Sequence, residues 1–179
     1  MKQFFLLLGI LLIAALLYVS GMIILGIATK FKPAAIENAE VSSINSLVTT
    51  DSVYSFMIWN VGYTGLGKEV DFFYDGGKMV TSPKEHVNKN LEGIKQQLAN
   101  SSNIDFVLLQ EVDRESKRSY RTDQTVAFAK SLPQHNRAFA INYDVKYLPF
   151  PFTNPIGKVL GGLVSFSKLT PTESKRIAL

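Results

Sequence analysis

The sequence contains no cysteine, which excludes disulfide bonds and thiolate chemistry. Histidine is scarce, with two residues, and the charged residues are unevenly placed. Residues 4–29 carry no charge, and all 15 acidic residues follow that run. Because Lys2, Lys30 and Lys32 flank the run, the rest of the chain is almost neutral. Strong nonspecific attraction to nucleic acid is therefore not supported.

The uncharged run at residues 4–29 predicts a membrane anchor. As an α-helix it would extend roughly 39 Å, more than the hydrocarbon core of about 30 Å. A cleavable signal peptide is the alternative, but its apolar stretch is usually only about 7–15 residues. Basic residues stand on both sides, so the positive-inside rule barely separates the two orientations. The very short N-terminal tail favours a single-pass membrane protein whose main domain lies outside the cytoplasm.

Beyond the anchor and its flanks (residues 1–32), the pattern predicts a linker at 33–52, with a short strand near 41–48, and one domain at 53–179. Apolar runs predict strands at 53–61, 105–110, 137–143 and 161–167. Helices are predicted at 82–100 and 122–131, and the proline-rich residues 148–155 should be a loop. The first helix should lay one face on a sheet, because its apolar residues follow a helical period (Val87, Leu91, Ile94 and Leu98). Ser82, Pro83 and Glu85 have the spacing of a capping box. Strands that alternate with helices indicate an α/β fold.

Two of these strands end in polar residues that suit metal and phosphate chemistry. Asn60 follows the apolar residues 56–59, and Glu111 follows residues 107–110. A carboxylate is a preferred ligand of Mg²⁺, which typically takes one or two carboxylates together with water and substrate phosphate. An asparagine can donate its amide N–H to a phosphate oxygen or offer its carbonyl oxygen to the ion. Ordinary strand-end polar groups are the alternative interpretation.

The sequence FMIWNVG at 56–62 resembles the first motif of the endonuclease/exonuclease/phosphatase superfamily, and DFVLLQEVD at 105–113 resembles the second. Residues 161–168 resemble the next sheet element, in the usual order. The resemblance implies that the domain is part of a four-layer α/β/β/α sandwich, which the transmembrane helix predicted at residues 4–29 would precede. It also implies that Glu111 binds Mg²⁺ or Mn²⁺, and that Asn60 contacts the scissile phosphate or helps to hold the metal. In such enzymes the metal polarises the phosphate and an activated water attacks in line.

Other motifs of that superfamily, a downstream Asp-x-Asn and a terminal Asp-His pair, are not found. His86 and His135 are both expected to be exposed to solvent and not catalytic. We therefore expect the 179 residues to be the N-terminal part of a longer, truncated domain, inactive alone and with a large apolar sheet face uncovered. The coding sequence beyond Leu179 would distinguish an enzyme from a binding protein. The presence of both motifs there would favour an enzyme, and a stop codon would favour a binding protein.

Residues 62–68 (GYTGLGK) also satisfy the P-loop pattern G-x-x-x-x-G-K. Glu69 stands where a Ser or Thr would hold magnesium, and residues 70–77 do not open a helix, so this interpretation is rejected. In the phosphodiesterase interpretation the loop borders the active site, and Lys68 is a candidate phosphate contact.

The basic residues near position 118 (Arg114, Lys117, Arg118 and Arg121) are interpreted as a solvated face, although a substrate patch is conceivable. Aromatic and proline residues at 143–152 could line a substrate groove or pack against the sheet.

The sequence therefore predicts a membrane-anchored, Mg²⁺- or Mn²⁺-dependent hydrolase of phosphate esters. Nucleic acid, phosphoinositide and sphingomyelin remain open as substrates, with a slight preference for lipid or extracytoplasmic ones. The alternative is a membrane-tethered binding or scaffold protein that has the same partial fold and lacks catalysis. No protein partner can be inferred.

Overall fold

A computed structural model describes residues 1–44 and 53–178 of the chain, which forms two compact units, Met1–Phe31 and Lys32–Leu179. The first unit is a single helix, α1 (Lys2–Ala28). None of its residues is buried, and its most apolar window has a mean hydropathy of 2.7. Among the described residues, α1 is the one helix long and apolar enough to cross a membrane. An N-terminal signal sequence would satisfy the same two criteria.

The second unit is a mixed α/β structure. Its elements in chain order are β1 (Ile36–Asn38), β2 (Glu40–Ser42), β3 (Phe56–Asn60), α2 (Lys84–Asn100), β4 (Phe106–Asp113), α3 (Gln124–Ala129), β5 (Asn136–Leu148), β6 (Gly157–Ser167) and β7 (Lys175–Ile177). Single 3₁₀ turns occur at Gly62–Thr64, Phe73–Asp75 and Lys117–Ser119. The α/β class predicted from the sequence is therefore confirmed.

Five strands form the main sheet, in the order β2-β5-β6-β4-β3. Strands β3 and β4 are parallel, as expected for two strands joined through a helix, and the other neighbours are antiparallel. Strands β1 and β7 form a separate antiparallel pair. The parallel pairing matters for function because it brings the carboxyl ends of β3 and β4 to the same edge of the sheet.

One face of the main sheet carries the hydrophobic core. Alternate residues of β4, Val107 and Leu109, are buried together with Phe128 of α3 and Leu98 of α2. Of the apolar positions predicted for α2, Ile94 and Leu98 belong to this core and Leu91 packs against it. Val87 is also buried. Full burial of one such side chain contributes about 1.5–3 kcal/mol, so this face stabilises the sheet and fixes its register.

The opposite face of the same sheet is apolar but exposed. Phe56 and Ile58 of β3 are 61% and 67% exposed, and Leu163 of β6 is 45% exposed. Phe56 stacks on Phe106 of the adjacent strand, with ring centroids 4.8 Å apart. Along each strand these side chains alternate with those of the core. Both faces of the sheet therefore carry apolar residues, but α2 and α3 cover one face and the other is exposed.

Two expectations about local structure are wrong, and a third is confirmed in part. Residues 36–38 and Glu40 of the predicted linker belong to strands, because β1 pairs with β7 and β2 pairs with β5. The predicted strand at 41–48 is confirmed at Val41 and Ser42, whereas residues 43–44 are not in a strand and residues 45–52 lie outside the described residues. The capping box at α2 does not form, because Pro83 occupies the cap and the Ser82 hydroxyl donates to the carbonyl oxygen of Gly65 instead.

Candidate functional site

Asn60 and Glu111 meet at the edge of the sheet where β3 and β4 end. Asn60 Nδ2 donates a hydrogen bond of 3.0 Å to Glu111 Oε1, and both residues are exposed to solvent. They are 51 residues apart in the chain. The parallel register, which pairs Asn60 with Gln110, brings them together. The two residues singled out from the sequence are therefore neighbours in space.

A β-bulge in β4 gives Glu111 this orientation. Leu109 pairs with Val164 and Val112 pairs with Gly162, so Gln110 and Glu111 together oppose the single residue between those partners. Both bulge residues are exposed, whereas regular alternation would bury one of them. Glu111 also has a positive φ of 54°, a conformation that costs a non-glycine residue about 1–2 kcal/mol. Backbone strain of this kind concentrates at functional sites.

The turn after β3 fixes the orientation of Asn60. Its Oδ1 accepts a hydrogen bond of 2.9 Å from the backbone N–H of Gly62, while its Nδ2 faces Glu111. One further N–H of Nδ2 and one lone pair of Oδ1 remain for a ligand. The Asn60 side chain is therefore held from two sides and keeps both donor and acceptor capacity.

Side chains from two later helices fasten this turn, in which Tyr63 and Thr64 have positive φ angles of 44° and 58°. Gln124 Nε2 of α3 donates to Tyr63 O at 2.7 Å and to Thr64 Oγ1 at 2.9 Å. Its Oε1 accepts from the N–H of Asp113 at 2.9 Å. Asn90 Nδ2 of α2 donates to Thr64 O at 3.1 Å. The loop beside the site is thus tied to α2, α3 and β4.

A second carboxylate on β4 is engaged in a buried ion pair. Asp113 is fully buried, and its two oxygens accept hydrogen bonds of 2.9 Å from Nε and Nη2 of Arg118. The guanidinium stacks on the ring of Tyr63, 3.6 Å from its centroid. Burial alone would lower the pKa of Arg118, but the Asp113 carboxylate more than offsets this and the pKa is raised. For Tyr63, burial raises the pKa to about 12, although the positive charge of Arg118 opposes this shift.

Arg118 was not among the residues predicted for the site. The solvated-face interpretation of its cluster is wrong for two members, because the side chains of Arg114 and Arg118 are only 17% and 25% exposed. Arg114 is held by Glu40, with bonds of 2.8 and 2.9 Å. Lys117 and Arg121 are exposed, as predicted. The local charge pattern could not predict the burial of Arg118, because Tyr63, which covers its guanidinium, belongs to a distant segment of the chain.

Glu111 and Arg118 line two adjoining cavities. One has a volume of about 240 Å³ and includes Asn60 and Gln110. The other has a volume of about 450 Å³ and is lined mainly by apolar side chains. The residues common to both are Glu111, Arg118, Asn142 and Tyr143. Of the aromatic and proline residues at 143–152, for which the sequence left a groove or packing against the sheet open, Tyr143 lines both cavities. The neighbouring Leu148 lines the larger cavity.

The donor set fits a divalent cation that keeps most of its water. Within residues 1–44 and 53–178, no three His, Cys, Asp or Glu side chains group together as metal ligands. Asp113 is committed to Arg118, so Glu111 is the carboxylate available at this edge. Mg²⁺ accepts such a site, since it is commonly bound by one or two carboxylates, several waters and a substrate phosphate. Asn60 could add its free oxygen lone pair.

Neither histidine lines the two cavities, and Lys68 does not line them either. The expectation that His135 is exposed is wrong: it is 5% exposed, and its Nε2 donates to Ile104 O at 2.8 Å. His86, in the first turn of α2, is half-buried and not open to solvent as expected. Lys68 is exposed, and the residues that follow it form a turn and not a helix, in agreement with the rejection of a P-loop.

No protein-family model matches this sequence, and comparisons with characterised proteins and with solved structures also gave no match. The superfamily resemblance therefore rests on the motif residues and their arrangement.

Proposed function

We propose that this chain belongs to a membrane-anchored, Mg²⁺- or Mn²⁺-dependent hydrolase of phosphate esters, in which Glu111 binds the metal and Asn60 contacts the phosphate. The observation that carries the proposal is the Asn60–Glu111 contact at the tips of two parallel strands, beside the guanidinium of Arg118. A metal ion held by a carboxylate, together with nearby N–H donors, would stabilise negative charge on a phosphoryl oxygen.

Each residue of the site has a separate task in this mechanism. The metal, when bound, would polarise the phosphoryl group. Asn60, oriented by Gly62 and Glu111, directs its free N–H towards a phosphoryl oxygen. Glu111 is presented to solvent by the bulge, so it can bind an ion without loss of a buried contact. The fastened turn at Tyr63 and Thr64 keeps this geometry in place before the substrate arrives.

The proposed protein has a four-layer domain and a membrane anchor. A four-layer α/β/β/α sandwich is supported by the exposed apolar row that includes Phe56, Ile58 and Leu163, because a second sheet packs against such a face. Residues 4–29 would anchor the protein as a single-pass membrane protein, with the catalytic domain outside the cytoplasm. Phosphate esters of nucleic acids or of phospholipid headgroups are the candidate substrates.

Turnover by the natural full-length protein in membranes or detergent tests the proposal. Wild type and the Glu111→Gln variant would be assayed with Mg²⁺ or Mn²⁺ on phosphodiesters and phosphomonoesters. Even an outer-shell partner of a metal ligand contributes roughly 10–100-fold, so we expect a loss of more than about 100-fold. Glu115→Gln is the matched control, because Glu115 is also exposed with a positive φ of 55° but pairs with Lys158. Equal activity in wild type and Glu111→Gln would refute the role of Glu111.

The second candidate function is a membrane-tethered binding or scaffold protein. Its support is the single available carboxylate, because the described residues offer no three-residue metal group. This candidate predicts no metal-dependent turnover by the natural full-length protein on any of these substrates.

A further inference from the structure

The cavity beside the candidate metal site has two chemically different sides. On one side lie the polar residues shared with the smaller cavity, Glu111, Arg118, Asn142 and Tyr143. On the other side lie the apolar side chains of Leu66, Leu148, Ile156 and Val159, together with Tyr63 and Phe72. The volume of about 450 Å³ lies in the range of small-molecule sites, roughly 300–1,000 Å³.

Arg118 stands at the boundary between the two sides. Two of its five N–H groups, on Nε and Nη2, bind Asp113, and three remain on Nη1 and Nη2. The Tyr63 ring covers one face of the guanidinium, so the group is held in a fixed plane. A guanidinium fixed in this way presents donors in the fork that matches a phosphoryl group.

Asp113 orients Arg118 without using all of its donors. Its carboxylate binds Nε and Nη2 of the guanidinium from the buried side of the pair. Arg118 lines both cavities, and three of its N–H groups are not used by Asp113. Glu111 is the carboxylate on the cavity wall, and in the proposed function its charge is taken up by a cation. A phosphoryl group between these two residues would contact a cation on one side and the guanidinium on the other.

We propose that Arg118 binds the phosphoryl group of the substrate and that the apolar side of the larger cavity binds the ester substituent. The preferred substrates are then phosphate esters with a compact apolar or aromatic substituent. This inference deepens the proposed function and rests on it for the identity of the ligand. It assigns a binding role to Arg118 and a substrate preference to the cavity.

The role of Arg118 and the role of the apolar side are tested together by ligand binding. Two phosphate monoesters are titrated into the 179-residue chain in detergent micelles with Mg²⁺. Methyl phosphate probes the anion site alone, and 1-naphthyl phosphate adds an aromatic substituent. Calorimetry should show 1-naphthyl phosphate binding at least roughly tenfold more tightly, a difference of about 1.4 kcal/mol. Equal affinities would overturn the assignment of the apolar side.

The contribution of Arg118 is measured with a paired variant, because Arg118→Gln alone would leave Asp113 buried without its partner. Asp113→Asn together with Arg118→Gln keeps a neutral hydrogen-bonded pair. We expect it to weaken binding of both esters by roughly 10–100-fold, the range for hydrogen bonds to charged groups. Arg121→Gln is the control, since Arg121 is an exposed cation that lines neither cavity, and it should bind like wild type. A folded paired variant with wild-type affinity would overturn the role of Arg118.

A direct measurement on the unaltered chain keeps the test valid if the paired variant does not fold. The Nε–Hε signal of Arg118 in a nitrogen–proton NMR spectrum should shift on addition of methyl phosphate, while that of Arg121 stays in place. An unchanged Arg118 signal at saturating ligand would overturn the proposal.

Substitution of Leu148 by Gln separates the two sides of the cavity. It should lower the preference for 1-naphthyl over methyl phosphate without changing the affinity for methyl phosphate. Val126→Gln is its control, because Val126 is 42% exposed and lines neither cavity, and the preference should persist. These binding results do not depend on turnover, so the two proposals can fail separately. Unchanged activity of Glu111→Gln would refute the proposed role of Glu111 and leave anion binding by Arg118 intact. Unchanged binding in the paired Asp113 and Arg118 variant would refute the role of Arg118 and leave that of Glu111 intact.

Discussion

Glu111 and Asp113 are two carboxylates on one strand, two positions apart, in opposite environments. Asp113 is fully buried, and both of its oxygens are bound to Arg118. Glu111 is exposed, has a strained backbone, and has Asn60 as its hydrogen-bond partner. The bulge at Gln110–Glu111 separates them, because it shifts the register of β4 between them. We infer that Asp113 holds the structure together and that Glu111 is available for a ligand.

Loss of Asp113 should have the largest effect on stability. Asp113→Ala leaves the half-buried Arg118 without its partner, and breaking a buried pair in this way costs about 3–5 kcal/mol. Denaturant unfolding of the chain in micelles, followed by the fluorescence of Trp59, would measure the change. Glu111→Ala is the companion variant and should change the free energy of unfolding by less than about 1 kcal/mol, as is usual for an exposed site. Similar losses in both variants would remove the distinction between the two carboxylates.

Relief of backbone strain at Glu111 should have a smaller effect of the opposite sign. Glycine adopts positive φ without the steric cost that Glu111 bears, so Glu111→Gly should stabilise the chain by up to about 1 kcal/mol relative to Glu111→Ala. Thermal unfolding of the two variants gives the difference. A less stable glycine variant would show that Glu111 is not strained as its φ angle indicates.

The third expected effect is a pH dependence of stability at the Arg118 side of the comparison. Tyr63 packs on Arg118, and burial raises its pKa to about 12 from the ordinary value of 10.0. Because the pKa of Tyr63 is raised in the folded state, the unfolded state loses the phenol proton at a lower pH than the folded state does. The burial of the neutral phenol therefore contributes its full stability below pH 10, and this contribution is lost between about pH 10 and 12. Tyr63→Phe should show a weaker decline of stability over that range. An equal decline in both proteins would indicate that Tyr63 is not buried against Arg118.

The sequence was sufficient to locate Asn60 and Glu111, because a polar residue after an apolar strand is a local pattern. The periodicity of Val87, Leu91, Ile94 and Leu98 likewise gave the core face of α2 correctly. Both features depend on residues close together in the chain. For that reason, propensity and spacing alone could identify them.

Features that depend on distant contacts were missed. The bulge at Glu111 arises from pairing with β6, which lies about 50 residues later. The burial of Arg118 depends on Tyr63, and that of His135 on the carbonyl of Ile104. Glu40 was assigned to the linker because the surrounding residues are polar or small, yet it pairs with β5 and binds Arg114. Tertiary context decided each of these positions.

The central claim is that Asn60 and Glu111 form one divalent-cation site, and Mn²⁺ binding to the 179-residue chain in micelles tests it most directly. Paramagnetic broadening of backbone amide signals would locate the ion. We predict selective broadening at residues 60–62 and 110–112 in wild type and in Glu115→Gln, and its loss in Glu111→Gln. Broadening centred elsewhere, or unchanged in Glu111→Gln, would contradict the account.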